Sequence, residues 1–320
     1  MSLLKEQTIA FVSGKGGSGK SIIAASLGAS LAHLGFKTLL IDTDIFTQGL
    51  SYYLLSDTPH RAERGFVEII SEQVAVNEGL GEISVSSDFA SENLFIIPSS
   101  KRLRNFTSNE NYGFWQDQQV FVKGVHTLLV EAKKHFDYIL IDTRGGADFT
   151  TVSVCSEVQS YVLVTEADRT SWDVSEVLIN TIEDELKRVN AHTIPKGFII
   201  NKNTLPYKEV VTFLKRRFGM ASLAVIPLDV EAVRAYQTDR IPIEVDISSD
   251  FSRHIVLMIR PIFVSEEWDE TRKSRLENLE EASKKRIMNR KLIEKKRQHI
   301  LTILDTIVPT ISITAILFLS

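Results

Sequence analysis

Residues 14–21 read Gly-Lys-Gly-Gly-Ser-Gly-Lys-Ser. Glycines at this spacing let successive backbone N–H groups turn inward around phosphate oxygens, and the helix expected to follow adds the positive end of its dipole. Lys20 would place an ammonium on the β- and γ-phosphates of a nucleotide, and Ser21 would give its hydroxyl to Mg2+. Gly16, Gly17, Ser18, Gly19 and Ile22 complete this phosphate cradle. An ordinary glycine-rich turn is the weaker reading, because the Gly-Lys-Ser ending, the apolar run before it and the small-residue run after it all agree.

Acidic residues supply the other half of such a site. Asp142 ends the apolar run YILI at 138–141, where a carboxylate can face the loop and orient Mg2+ through water. Asp42 and Asp44 follow TLLI at 38–41, and both can point toward the nucleotide if the strand is already bending into a loop there. Capping a loop is the plainer alternative for Asp44.

These groups need a scaffold that brings distant strand ends together. Continuously apolar runs at 8–13, 38–41, 95–97, 138–141, 161–164, 197–200 and 224–226 predict strands. Helical stretches are predicted at 22–35, 119–135, 172–189, 208–218 and 250–262. Alternation of the two implies an α/β fold, a mainly parallel sheet with helices on both faces. Residues 45–93 predict short helices over the sheet edge. The stretch 101–119 predicts a surface loop anchored by Phe106, Phe114 and Trp115, its basic and aromatic residues leaving a partner or nucleic-acid contact open.

The chain has 320 residues, 43% hydrophobic and 24% charged, with a net charge of -4. That balance fits a globular body and excludes disordered or collagen-like classes. A single cysteine, Cys155, excludes an intrachain disulfide framework and an all-cysteine metal site, and points to a reducing compartment. The N-terminal segment reaches its glycine loop too soon for a secretory signal. Cytoplasmic placement is therefore expected, with peripheral or tail-anchored attachment to the membrane as its variant.

Lys15 makes the loop more specific. The run KGGSGKS resembles the deviant Walker A signature of the ParA/MinD family of P-loop ATPases. The resemblance implies ATP and Mg2+ as ligands, and an ATP-dependent homodimer in which Lys15 reaches the phosphates bound by the opposite subunit. LLIDTD resembles the switch I pair of that family, implying a metal-side role for Asp42 and a water-positioning role for Asp44. YVLVTEADRTSWDVSE at 161–176 resembles a strand, turn and helix that contribute to the dimer face. FIINKN at 198–203 implies base recognition by Asn201, and VIPLDVEAVRAYQTDRIPIEVD at 225–246 implies an adenine boundary at Pro227, Leu228 and Asp229. The chain departs from the family in DTRGGAD at 142–148, where Arg144 occupies the usual proline place. Arg144 reads as a surface ion pair, or as a cation for a phosphate or a partner's acid.

The same residues weigh against neighbouring activities. A dinucleotide oxidoreductase does not require Gly-Lys-Ser. Guanine specificity lacks an Asn-Lys-x-Asp segment, since Asn201-Lys202-Asn203-Thr204 has no aspartate in fourth place. An iron–sulfur relative would need two cysteines per subunit, and a tyrosine-kinase relative a terminal tyrosine cluster. What remains is an ATPase switch that positions a membrane or protein effector complex. A DNA-partitioning ATPase and a nucleotide-gated scaffold with negligible hydrolysis are the alternatives.

The resemblance spans about residues 7–262, so the expected division is an ATPase domain at 1–264, a basic helical extension at 265–299 and an apolar tail at 300–320. Residues 265–300 carry 11 Lys/Arg against 8 Asp/Glu, and lack Pro and Gly. Trp268, Leu276, Leu279, Ile287 and Ile293 form an irregular apolar stripe, insufficient to assign a coiled coil. The basic stretch and tail, 284–320, suit an anionic membrane better than DNA. A solvated helix face and a tail packed on protein are the competing readings.

Overall fold

The computed structural model describes residues 8–55, 64–72, 81–82, 92–100, 118–204 and 206–285. Strand β1 (Thr8–Ser13) runs into the glycine loop and helix α1 (Lys20–His33), followed by β2 (Thr38–Asp42), α2 (Gly49–Leu55) and α3 (Phe66–Glu72). Next come β3 (Gly81–Glu82), β4 (Leu94–Ile97), α4 (Gln118–Ala132), β5 (Tyr138–Gly145), α5 (Phe149–Glu157) and β6 (Ser160–Glu166). The chain continues through α6 (Arg169–Val189), β7 (Ile194–Asn203), α7 (Tyr207–Phe218), β8 (Ser222–Pro227), α8 (Val230–Gln237), α9 (Pro242–Val245) and α10 (Asp250–Phe263). A last helix, α11, occupies 270–285.

The strands form one sheet in the order β3-β4-β2-β5-β1-β6-β7-β8. Every pairing is parallel except β3 against β4 at the edge. Side chains alternate between the two faces, as a pleated strand requires. Ile9, Phe11, Leu40, Leu140, Val162 and Ile199 join α1, α10 and α11 in one core, while Ala10, Val12, Leu39, Ile141, Leu163 and Ile200 join α4 to α7 in the other. Helix α1 is buried along nearly its whole length. Its alanines and serines let it lie close to the sheet, which fixes the glycine loop at the carboxyl end of β1, where open parallel sheets bind ligands.

Several boundaries differ from the sequence reading. Strand β5 does not end at Asp142 but runs on to Gly145, with an irregular register: Phe11 and Ser13 of β1 face Asp142 and Gly145. The extra residue is a bulge, which re-aims side chains beside a site. Helix α5, capped by Asp148, was not anticipated because it is short, whereas the alternative reading of Asp229 as a helix cap is met at the start of α8. Gly81–Glu82 pairs antiparallel with β4 rather than joining a helix. Most of the 101–119 stretch, with Phe106, Phe114 and Trp115, lies outside the described residues, as do Ile287, Ile293 and the tail.

The start of the C-terminal extension is packed onto the body. Trp268, Leu276 and Leu279 belong to the same core as α1. Trp268 Nε1 donates to the Tyr138 hydroxyl at 2.9 Å, and its ring lies 4.6 Å from that of Phe36. Arg272 lies over Phe36, and the guanidinium groups of Arg272 and Arg275 donate to the carbonyls of Gly35 and Leu34. These are carbonyls at the negative end of α1, where cations are favoured. Among the described residues, no helix is long and apolar enough to cross a membrane.

Candidate functional site

The glycine loop, the ends of β2 and β5, and the turn after β8 enclose a cleft of about 950 Å³. Gly16, Gly17, Gly19, Lys20, Ser21 and Ile22 line it, with Asp44, Asp142, Asn201, Pro227, Leu228 and Asp229. Lys15, Ser18 and Asp42 are not on its wall. Gly19 holds φ at 94°, and a Cβ there would fall 2.2 Å from Asn201 Nδ2. Both facts restrict the position to glycine. Gly145 is equally constrained, since its Cβ would meet the Gly16 nitrogen at 2.4 Å. The backbone after Asp142 therefore lies directly against the phosphate cradle.

Lys20 is buried, and its Nζ donates to Ser13 Oγ at 2.8 Å. Burial pushes the ammonium pKa down, and the nearby Asp142 opposes that shift. Ser21 Oγ donates to Asp142 Oδ2 at 2.5 Å. The other carboxylate oxygen, Asp142 Oδ1, is buried with no hydrogen-bond partner. Burial raises the Asp142 pKa to about 6, against the pull of Lys20. A buried carboxylate with one idle oxygen, beside a hydroxyl and at a cleft, is a hard-oxygen pair suited to Mg2+. Among the described residues no cluster of three or more His, Cys, Asp or Glu could hold a metal. Mg2+ needs none when phosphate oxygens supply further ligands.

The two switch I candidates part ways. Asp42 is fully buried, and its oxygens accept from the backbone N–H of Asp44 at 3.0 Å and from the N–H and hydroxyl of Ser51 at 2.8 and 2.6 Å. Burial, and then the neighbouring Asp142, push its pKa up to about 7. Asp42 thus stands behind the site, joining β2 to α2. Asp44 reaches the cleft wall, and its carboxylate accepts from the backbone N–H groups of Phe46 and Thr47 and from the Thr47 hydroxyl.

At the end of β7, Asn201 Nδ2 donates to the Ser18 carbonyl at 2.8 Å. Its amide therefore ties β7 to the phosphate loop. Asp229 caps α8 through Glu231 N and also accepts from Phe251 N at 2.8 Å, and Pro227, Leu228, Ala232, Val233 and Phe251 add apolar surface to the cleft wall here. Lys15 Nζ lies 2.7 Å from Glu166 Oε2 and 3.2 Å from Asp168 Oδ2, and these bonds raise its pKa. Glu166 also accepts from Lys202 Nζ at 2.8 Å, and Lys202 donates to the Gly17 carbonyl. Arg144 lines the cleft, paired with Asp148 at 3.6 Å and stacked on Phe46.

Sequence reasoning had not singled out Glu166, Lys202, Phe46 or the wall tyrosines Tyr52, Tyr53 and Tyr236. The signal available for Lys202 was its place beside Asn201. Its backbone there has φ 54°, rare for a lysine, and turns the side chain back over the loop.

The chain is similar to several known proteins. A family model described as "AAA domain" matches residues 6–194. The septum site-determining protein MinD of Thermotoga maritima is 27% identical over 267 residues, covering 79% of this chain and 87% of the relative. A solved MinD from Pyrococcus horikoshii, complexed with Mg-ADP, aligns with a TM-score of 0.63 at 20% identity, over 80% of this chain and 95% of its own. An ATP complex of McdA from Cyanothece aligns with a TM-score of 0.67 at 17% identity, over 82% of this chain and 98% of its own. At these identities the two structures establish the fold.

Proposed function

The chain belongs to the AAA-domain family, in its ParA/MinD group of P-loop ATPases, and from that premise we propose that it is an ATP-dependent dimeric switch. It hydrolyses ATP to ADP and phosphate and uses the closed dimer to position or assemble a membrane or protein effector complex. One observation carries this reading. Lys20, Ser21 and an Asp142 with an idle oxygen meet in one cleft that Pro227, Leu228 and Val233 also line.

Each residue then has a task. The N–H groups of the loop and the Lys20 ammonium bind the phosphates, aided by the start of α1. Ser21 and Asp142 would hold Mg2+, which when bound neutralises charge on the β- and γ-phosphate oxygens. Asp44 orients the attacking water, its carboxylate steadied by the N–H groups of its own loop. Pro227, Leu228 and Val233 hold the adenine and keep their part of the cleft dry. Lys15 exchanges Glu166 and Asp168 for the phosphates bound by a second copy of the chain, a dedicated charge against the repulsion of opposed nucleotides.

Single-turnover phosphate release by the full chain tests the ATPase reading against Asp44→Ala and Lys15→Ala. Wild type should release phosphate and both variants should be slowed. No release by wild type with membrane and candidate effectors present would sink it, and leave a nucleotide-gated scaffold. The membrane arm has its own test. Deleting 300–320 should reduce flotation with anionic liposomes while leaving ATP binding intact, and unchanged flotation defeats the anchor. Retention on DNA instead would favour the partitioning alternative.

A further inference from the structure

We propose that Arg144 is a positioning residue for Asp44, acting through the ring of Phe46. Its effect on turnover rests on the hydrolytic reading above, whereas the clamp itself rests on contacts alone. The Arg144 guanidinium carbon lies 4.3 Å from the centre of the Phe46 ring. Phe46 is 52% exposed, so core packing does not explain its place over that cation. Its backbone N–H donates to Asp44 Oδ1 at 3.2 Å, and the Thr47 N–H donates to the same oxygen at 3.0 Å. Holding the ring therefore holds the donors that aim the Asp44 carboxylate.

The far side of Arg144 is anchored too. Its Nη1 lies 3.6 Å from Asp148 Oδ2, and Asp148 caps α5 by accepting from Thr151 N at 2.8 Å. A connected path runs from the start of α5 through guanidinium and ring to the Asp44 loop. The β5 bulge is what makes the path geometrically available. It carries Arg144 forward beside the cleft instead of letting the strand end at Asp142. A proline at this position could make neither the cation–π contact nor the ion pair. A partly exposed cation–π contact is weak, enough to bias a short loop and too little to govern the fold.

The test has two arms, with Arg144→Ala, Phe46→Leu, Phe46→Tyr and the Arg144→Ala/Phe46→Leu double variant. In the nucleotide-free chain, amide exchange at Phe46 and Thr47 should quicken about two- to fivefold in Arg144→Ala and Phe46→Leu, and stay near wild type in Phe46→Tyr, which keeps an aromatic face. In steady-state ATP hydrolysis, Arg144→Ala and Phe46→Leu should each lower kcat about two- to fivefold with KM within about twofold. The double variant should be no slower than either single one. Unchanged exchange at both amides, or losses in kcat that multiply in the double variant, would overturn the proposal. Absence of any turnover by wild type would instead defeat the ATPase reading, and the exchange arm would still decide the clamp.

Discussion

Lys15 Nζ sits 2.7 Å from Glu166 Oε2 within its own chain. The side chains are 36% and 20% exposed, so solvent weakens the pair to about 1 kcal/mol at most. Such a contact parks the lysine without trapping it. Glu166→Gln should tighten ATP-dependent dimerisation by no more than about fivefold. Sedimentation equilibrium with a nonhydrolysable ATP analogue measures this, and a weaker dimer would show that Glu166 instead supports the closed state.

Asp142→Asn removes a buried carboxylate whose pKa burial raises. In the absence of nucleotide the variant should melt no lower than wild type, since an unpaired buried oxygen is a cost carried for function. It should also lose most of the added stability that Mg2+ with ATP gives wild type. Thermal melts with ATP, with and without Mg2+, check both halves. An equal Mg2+-dependent gain in wild type and variant would remove Asp142 from the metal site.

His254 is held by burial below its ordinary pKa of 6.5. Its Nδ1 lies 2.6 Å from the Asp250 carbonyl in the same helix. The neutral ring is favoured in the folded state, so below pH 6.5 the unfolded chain binds the extra proton first. The stability that the neutral ring contributes is complete above that pH, and is lost as pH falls toward the lowered folded value. Replacing His254 with Gln should therefore flatten the fall in melting temperature between pH 7.5 and pH 5.5, which a set of melts would read directly. Parallel curves for the two proteins would refute it.

Trp268 is buried against Phe36 and bonded to Tyr138. Trp268→Ala should cost about 3–5 kcal/mol of stability. A chain ending at 285 should fold and bind ATP, whereas one ending at 264 should be destabilised at least as much as Trp268→Ala. Urea melts of the three proteins decide between a docked extension and a free one.

The parallel α/β fold was legible because apolar strands and small-residue helices are written as local runs, and the phosphate loop because its glycines and Lys20 are contiguous. What escaped were contacts between segments far apart in sequence. Nothing local to Glu166 announces Lys15 and Lys202 together, and nothing in LLID announces that Asp42, expected on the metal side, also binds Ser51. The length of β5 escaped for a related reason. Thr143, Arg144 and Gly145 look like loop, and only the neighbouring backbone of β1 holds them extended. Of the irregular apolar stripe read over 265–300, Trp268, Leu276 and Leu279 find their partner in the body itself, a contact between distant segments that no local pattern announces.

Helix α1 has 14 residues, making a rod about 21 Å long. The phosphate loop is at its head, and at its foot are the carbonyls gripped by Arg272 and Arg275. The segment that leads to the basic stretch is thus bolted to the same beam that carries the nucleotide cradle. The described part of the extension and the phosphate loop therefore sit at opposite ends of a single helix, so a change in how the extension packs against Leu34 and Gly35 is felt by the same element that positions the loop.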